Sequence, residues 1–427
     1  MRITKQNIHD HNKEEEKAHK ASYIPLAEGL TDAGHDIDFL IRTIGSFQIA
    51  IPSWALGAGG TRFGRFSCGG EPGNLEEKIS DVGLLHALNR SSEAISIHIP
   101  WDVPGDAAAI KSLAAEYDLR FDAVNSNTFE DQSNQEHSYK YGSLSHTDES
   151  VRRQAVDHNV EVIRQGITLG SKALTVWLAD GSSFPGQHNF RKAFNRTLQS
   201  LQTIYSNLPD DWTMLVEYKP YEPNFYSMVI PDWGTSYMLA SKLGAKANTL
   251  VDLGHHLPNT NIEQIVSILS MEKKLGGFHF NDSSYGDDDL TAGSVRPYQL
   301  FLIFNELIES ASEFDQAGPD LAWMIDASHN IKDPLEDLLQ SVEAIKMAYA
   351  RALLIDRNKL EEARESNDPA LAQEILQEAF NTDVRPLLRE ARIINNAAAN
   401  PIKLFRDLKV REKLIEKRGT ETVATGL

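Results

Sequence analysis

Residues 248–282, NTLVDLGHHLPNTNIEQIVSILSMEKKLGGFHFND, hold the unit from which most of the chain is built. A β-branched, apolar run from Asn248 to His255 leads into a polar loop. An amphipathic segment then starts at Thr260, three residues before Glu263 in a capping-box spacing, and sets Ile262, Ile265, Val266 and Leu269 on one helical side. A second run, Leu275 to Asp282, closes the unit. Both runs are apolar through their middles, as strands buried on both faces should be.

The same rhythm recurs between about residues 45 and 330. Its other runs are Gly45 to Trp54, Ala94 to Pro100, Arg120 to Asn125, Ala173 to Leu178, Thr213 to Tyr218 and Leu321 to Ser328. Among the intervening segments, Val156, Val160, Ile163 and Ile167 share a helical face that Gly170 would end as a left-handed C-cap. Strands and helices alternating in this number predict an α/β fold, a (β/α)8 barrel of TIM type. A doubly wound open sheet is the competing fold, but no G-x-G-x-x-G follows the first run. The expected organisation is an N-terminal helical segment over 1–44, the catalytic barrel over 45–355 and a helical extension over 356–427. In that extension Leu371, Ile375, Leu376 and Ala379 lie on one face. Periodicity leaves open whether it covers its own barrel or embraces a neighbouring subunit.

The chain has 427 residues, with 42 Lys+Arg against 61 Asp+Glu, and its net charge of -19 argues against binding nucleic acid or anionic membrane by bulk attraction. With 41% hydrophobic and 24% charged residues the composition is that of a soluble globular protein, and no apolar run approaches the roughly 18 residues of a membrane span. The single cysteine, Cys68, has no partner for an intrachain disulfide, and the N-terminus is polar where a secretory signal is apolar. A cytoplasmic enzyme is expected, with Cys68 inert.

Barrels of this type build their active sites at the C-terminal ends of the strands. Here the runs end in Glu217 with Lys219 just beyond, in Asp252 and His255, in His279, and in Asp326. Each alone could be a helix cap or a hydrogen-bonded structural residue. Together they place several carboxylates at one rim, which is costly unless a cation compensates them. An oxygen-rich set with imidazole suits Mn²⁺, Mg²⁺ or Co²⁺. Asp287 and Asp289, at i and i+2, would point the same way in an extended segment and chelate an ion, although alone they read as a solvated turn. Two metals are therefore predicted, one on Glu217, Asp252, His279 and Asp326, the other on His255, Asp287 and Asp289. Trp54, Trp101 and Trp177 stand at the ends of other runs, with Phe63 in a loop and His98 nearby; indole faces suit the C–H faces of sugars, but could equally be core. His98 could exchange a proton with a ring oxygen, and Lys219 could act as a cation or general acid or simply pair with a carboxylate.

These segments resemble the broad-specificity bacterial L-rhamnose isomerases, within the xylose isomerase-like metal-dependent sugar isomerases. The likeness rests on residues 51–63 (IPSWALGAGGTRF), 98–102 (HIPWD), 125–129 (NSNTF), 137–147 (HSYKYGSLSHT), 174–177 (LTVW), 251–256 (VDLGHH), 276–282 (GGFHFND), 285–290 (YGDDDL) and 324–330 (MIDASHN). The resemblance implies a homotetrameric barrel with two Mn²⁺-type ions that interconverts L-rhamnose and L-rhamnulose, and other aldose and ketose pairs. It implies Glu217, Asp252, His279 and Asp326 as ligands of a structural metal, and His255, Asp287 and Asp289 as ligands of the catalytic one. His98, Lys219 and Asp326 would be catalytic, Trp54, Phe63, Trp101 and Trp177 would line the sugar pocket, and Phe129 resembles an aromatic contributed by a neighbouring subunit. Glu217-Tyr218-Lys219 departs from the E-H-K of close relatives; strand alternation turns position 218 away from the pocket. Asp102 stands four residues after His98 where xylose isomerases have Asp at three, which weakens a His-Asp ring-opening dyad. The expected reaction is a two-metal-assisted hydride shift between C1 and C2, with proton transfer through an enediol as the second version. A two-metal hydrolase or nuclease and a non-catalytic sugar-binding protein are the other classes; the acidity counts against the nuclease and Lys219 beside the Asp pair against the binding protein.

Overall fold

The structure, a computed structural model, describes residues 1–57, 66–222, 224–313, 321–327 and 331–421. Two helices, α1 (Lys5–Asp32) and α2 (Ile37–Ser46), precede a closed barrel of eight parallel strands. The strands are β1 (Ala50–Pro52), β2 (Ala94–Ile99), β3 (Arg120–Ser126), β4 (Ala173–Val176), β5 (Thr213–Glu217), β6 (Ala247–Asp252), β7 (Leu275–Phe280) and β8 (Ala322–Ile325). They neighbour one another in chain order, and β8 returns to β1 through Met324 opposite Ala50. The helices between and after them are α3 (Leu75–Asn89), α4 (Ala107–Ala115), α5 (Glu149–Leu169), α6 (Phe190–Tyr205), α7 (Trp233–Leu243), α8 (Ile262–Met271), α9 (Pro297–Glu313) and α10 (Pro334–Leu353).

Each apolar run contains a strand, and the barrel predicted from them is the fold observed. The first run departs most: α2 reaches Ser46, and Ser53–Ala55 forms a 3-10 turn, so only three residues pair. The helix expected to end at Gly170 does so, with Gly170 left-handed at φ 91. The expected cap at Thr260 is displaced by one residue. Asn261 caps α8 by accepting from the Gln264 amide, while the Thr260 hydroxyl donates to the Leu257 carbonyl.

Strand alternation explains how the barrel separates its faces. Val216, Val251, Phe278, Phe280 and Ile325 join the large core. Residues of the opposite parity, Leu215, Leu250 and Met324, form a separate small cluster with Ala50, Ala94, Ala123 and Ala322 that fills the barrel interior. One step further along the same faces stand Glu217, Asp252 and Asp326. Gly277 tightens this interior: a Cβ there would lie 2.3 Å from the Ala322 carbonyl oxygen.

The extension consists of α11 (Arg357–Glu365), α12 (Pro369–Asn381), α13 (Arg385–Ile394), α14 (Pro401–Asp407) and α15 (Val410–Arg418). It packs on its own chain: α13 lies against α1 and α2, and α14 against α3 and α10. On α12 the predicted apolar face is graded, with Ala379 buried and Leu371 exposed. The last helix is pinned by Arg411 to Asp333 and to the Gly69 carbonyl. Arg418 makes a bidentate pair with Asp81 at 2.7 and 2.9 Å and donates to the Gly70 carbonyl. No helix among the described residues is long and apolar enough to cross a membrane.

The Arg418–Asp81 pair is almost wholly buried, at 5% and 1% side-chain exposure. Removing Asp81 leaves the buried Arg418 with Glu77 at 3.3 Å as its remaining carboxylate, so the loss is expected at or below the about 3–5 kcal/mol of a fully broken buried pair. Asp81→Ala is accordingly expected to lower the urea midpoint and expose α15 to limited proteolysis; an unchanged midpoint and cleavage pattern would contradict this role.

Candidate active site

Four ends of consecutive strands bring four donors together. Glu217 closes β5, Asp252 closes β6, His279 stands on β7 and Asp326 follows β8; each offers a donor atom, and all four lie within 4.8 Å of one another. His279 Nδ1 is 3.1 Å from Glu217 Oε1, 3.6 Å from Asp252 Oδ2 and 3.7 Å from Asp326 Oδ2. Donors about 2.1 Å from a common ion and at right angles around it are separated by about 3 Å, so the spacing is that of a coordination shell.

The surrounding groups orient these donors. Asp252 Oδ1 accepts from the Gly254 amide at 2.7 Å and from Asn281 Nδ2 at 2.9 Å, while Oδ2 is buried without a partner and faces the quartet. Asp326 Oδ1 accepts from Trp54 Nε1 at 2.8 Å. A buried carboxylate oxygen without a donor is costly, and a divalent cation would satisfy it. The residues present therefore fit a metal ion.

The predicted second trio is brought to the same place but not into one tight group; among the described residues the quartet is the group that meets the single-ion spacing. His255 Nε2 lies 3.0 Å from Asp287 Oδ1 and 4.0 Å from Asp252 Oδ2, and its Nδ1 is 3.0 Å from the Tyr218 carbonyl. Donation from Nδ1 to that carbonyl would leave Nε2 to ligate. Asp287 and Asp289 do not form the extended pair expected from their spacing: both are left-handed, at φ 52 and 48. Gly286 between Tyr285 and Asp287 is obligatory, since a Cβ would stand 1.6 Å from the Tyr221 hydroxyl.

The electrostatics follow from five clustered carboxylates. Burial raises Asp289 well above the usual carboxylate range, and Asp287, Asp326 and Asp252 add to it. Burial, with Asp252 and Glu217, pushes Asp326 up to about 6 against the pull of His279. Burial also opposes the charged forms of Glu217, His255 and His279, but attraction wins: His279 and His255 hold Glu217 well below its ordinary value, Asp252 and Asp287 hold His255 well above its own, and Glu217 and Asp252 do the same for His279.

The opposite half of the pocket is aromatic. His98 packs between Trp54 and Trp101, with ring centroids at 5.3 and 4.4 Å, and Phe129 sits 5.5 Å from His98 and 4.6 Å from Trp177. Phe129 thus lines the pocket of its own chain, which corrects its expected contribution from a neighbouring subunit. Phe63 lies outside the described residues. Burial, helped by His158, pushes His98 down to about 3, so its imidazole is neutral at physiological pH and its Nδ1 is without a partner. Asp102 is not its dyad partner; that carboxylate accepts from Lys78 at 2.6 Å and from Ser53. Tyr218 is turned away and buried, its hydroxyl 2.7 Å from His256 Nε2. Lys219 pairs with Asp287 and with Glu222, not with Glu217. The cavity enclosed by both halves is ≈ 330 Å³, within the ordinary range of ligand clefts.

Glu130, Glu222 and Phe225 also line this cavity and were not anticipated. They sit four to eight residues beyond their strands, outside the strand-end rule that found the others. Asn281 was within its reach, two residues after His279, but an amide offered no chemical cue.

Fold and site define a (β/α)8 barrel with a buried carboxylate–histidine group that could bind a metal beside an aromatic-walled cleft. The chain is 50% identical over 396 residues to a probable sugar isomerase of Rhizobium meliloti, covering 93% of this chain and 92% of that one. It is 50% identical over 404 residues to a probable sugar isomerase of Mesorhizobium japonicum, covering 95% and 94%. The chain belongs to this sugar isomerase family. No protein-family model matches it. In fold it is similar to L-ribulose 3-epimerase (TM-score 0.52, 14% identity, 76% of this chain and 99% of that one) and to a xylose isomerase domain protein from Alicyclobacillus acidocaldarius (TM-score 0.51, 12% identity, 72% and 100%).

In the quartet, His279, held well above its ordinary value by Glu217 against the effect of burial, would give up a proton to ligate. Titration with Mn²⁺ is expected to release protons and to tighten by roughly tenfold per pH unit for each proton displaced as pH rises from 6 to 8. Calorimetry in buffers of different ionisation enthalpy measures this, and a pH-independent affinity would contradict the assignment. Asn281→Ala, which leaves Asp252 Oδ1 with the Gly254 amide as its remaining donor, should weaken Mn²⁺ binding about 10–100-fold; unchanged affinity would remove Asn281 from the supporting shell.

Proposed function

We propose that this protein is an aldose–ketose isomerase that interconverts L-rhamnose and L-rhamnulose, and acts on further aldoses. In this reading it carries two divalent ions per subunit, Mn²⁺ first and Co²⁺ or Mg²⁺ as alternatives, and works in the cytoplasm as a homotetramer. The observation that carries the reading is the quartet Glu217, Asp252, His279 and Asp326, three of which, Glu217, His279 and Asp326, line one cavity with an aromatic wall. The sugar isomerase relatives support it at the level of reaction class, and the resemblance of the sequence segments supports the rhamnose assignment.

Divalent ions bound there would polarise adjacent sugar oxygens and stabilise negative charge on them. The chain's own residues supply the rest. Trp54, Trp101, Phe129 and Trp177 give apolar faces against which the C–H face of a sugar packs and from which water is excluded. His98, neutral, donates its ring N–H to the ring oxygen and assists opening. Lys219, held between Asp287 and Glu222, keeps a positive charge beside the reacting carbons. In the isomerisation the hydrogen at C2 moves with its electron pair to C1 while the O2 proton passes to O1. C1 becomes a primary alcohol and C2 a carbonyl.

Metal removal and Mn²⁺ re-addition should abolish and restore ketose formation from L-rhamnose. No metal-dependent turnover of any aldose would refute the reading, whereas metal-dependent phosphate-ester cleavage would favour the hydrolase. In deuterated water the ketose should carry little deuterium at C1; extensive labelling would replace the hydride shift by proton transfer through an enediol.

A further inference from the structure

The metal-ligating quartet comes from β5 to β8, so in a ring of eight strands in chain order the side of the cavity opposite His279 belongs to β3. Asn125, Ser126 and Phe129 line the cavity there together with Glu130, which is the one ionisable side chain among them, four residues beyond β3 and half-buried. Its oxygens are used unequally. Oε1 accepts from Trp101 Nε1 at 2.9 Å, from Asn127 Nδ2 at 2.7 Å and from Gln132 Nε2 at 3.3 Å. Oε2 has no hydrogen-bond partner among the described residues. Three donors on one oxygen fix the carboxylate plane and tie it to Trp101, itself part of the aromatic wall. The arrangement leaves a pre-oriented anionic acceptor at the end of the cavity farthest from the reacting carbons.

We propose that Glu130 is a specificity-determining residue that accepts a hydrogen bond from a hydroxyl at the tail of the sugar, so that the site favours an aldose ending in CH2OH over its 6-deoxy counterpart. The proposal rests on the isomerase reading of the pocket and refines its substrate class. A charged acceptor fixed in place gains most from a hydroxyl donor, and a methyl group in the same position would take Oε2 out of water with nothing in exchange. Buried sites that hydrogen-bond a substrate hydroxyl discriminate by factors of thousands; a half-exposed acceptor, which water can reach, is expected to give about tenfold.

Alditols test this without turnover. L-mannitol and L-rhamnitol, the reduced forms of L-mannose and L-rhamnose, differ only in the hydroxyl at C6. Binding to the Mn²⁺-loaded full chain, followed by tryptophan fluorescence, should favour L-mannitol about tenfold. Glu130→Leu should erase the preference, and Glu130→Gln, which keeps an oxygen for Trp101 but not the charge, should reduce it to a few-fold. If Glu130 only holds Trp101, both alditols weaken together and the ratio stays fixed; that result, or equal binding by the unaltered protein, overturns the proposal. The turnover ratio of L-mannose to L-rhamnose should shift in parallel. Absence of turnover with the alditol preference intact would remove the isomerase reading and leave Glu130 as a hydroxyl-selecting residue, while failure of both alditols to bind would count against both.

Discussion

The structure depends on how buried negative charge is compensated at the rim of the barrel. Glu217, Asp287, Asp289 and Asp326 line one cavity with Asp252 beside them in the donor quartet, and the positive groups among them are Lys219 and two imidazoles. Even with both imidazoles protonated, the carboxylates exceed the cations. The clustering raises Asp289 and Asp326 toward their neutral forms, while attraction to the imidazoles lowers Glu217. An unpartnered Asp252 oxygen remains. As mere packing such a cluster is costlier than apolar residues of similar volume. Its convergence from four successive strands argues for a cationic occupant.

The barrel makes that cluster possible through parity and register. Asp252 pairs with His279 across β6 and β7, while Glu217 pairs with Leu250 and His279 with Met324, so at the other two seams the next donor, Asp252 or Asp326, stands two residues further along the same face. A slip of one residue would send Glu217 into the helix layer and Tyr218 into the cavity. The interior beneath the donors is filled by small and branched residues, with alanine at four of its seven positions, which allows the strands to close tightly below the polar rim.

This logic also marks what could be read from sequence. Strands buried on both faces leave continuous apolar runs, and chemistry at their ends is visible because a carboxylate or imidazole stands out there; both the barrel and the quartet were legible for that reason. Loop residues obey no period. Glu130 and Glu222 are ordinary acidic residues until the loops carrying them fold back over the cavity, and the left-handed turns at Asp287 and Asp289 have no signature in i and i+2 spacing. The short β1 was overestimated because α2 and the 3-10 turn are apolar as well. A helical face alone does not name its partner, and the docking of α15 depends on Arg411 and Arg418 reaching Asp333 and Asp81, contacts far apart in the chain.

The cavity divides into a charged half from β5 to β8 and an aromatic half from β1 to β4, and the division constrains what fits. A substrate must offer oxygens on one side and C–H surface on the other, which a neutral polyol does. A phosphorylated sugar would also need a cationic seat. Among the described residues lining the cavity, Lys219 is the one lysine or arginine, and it already serves Asp287 and Glu222. A second anion would have to compete with both carboxylates in a chain of net charge -19. The acidity of the whole chain thus continues into the pocket, whose described lining carries the carboxylates Glu130, Glu217, Glu222, Asp287, Asp289 and Asp326 around that one lysine.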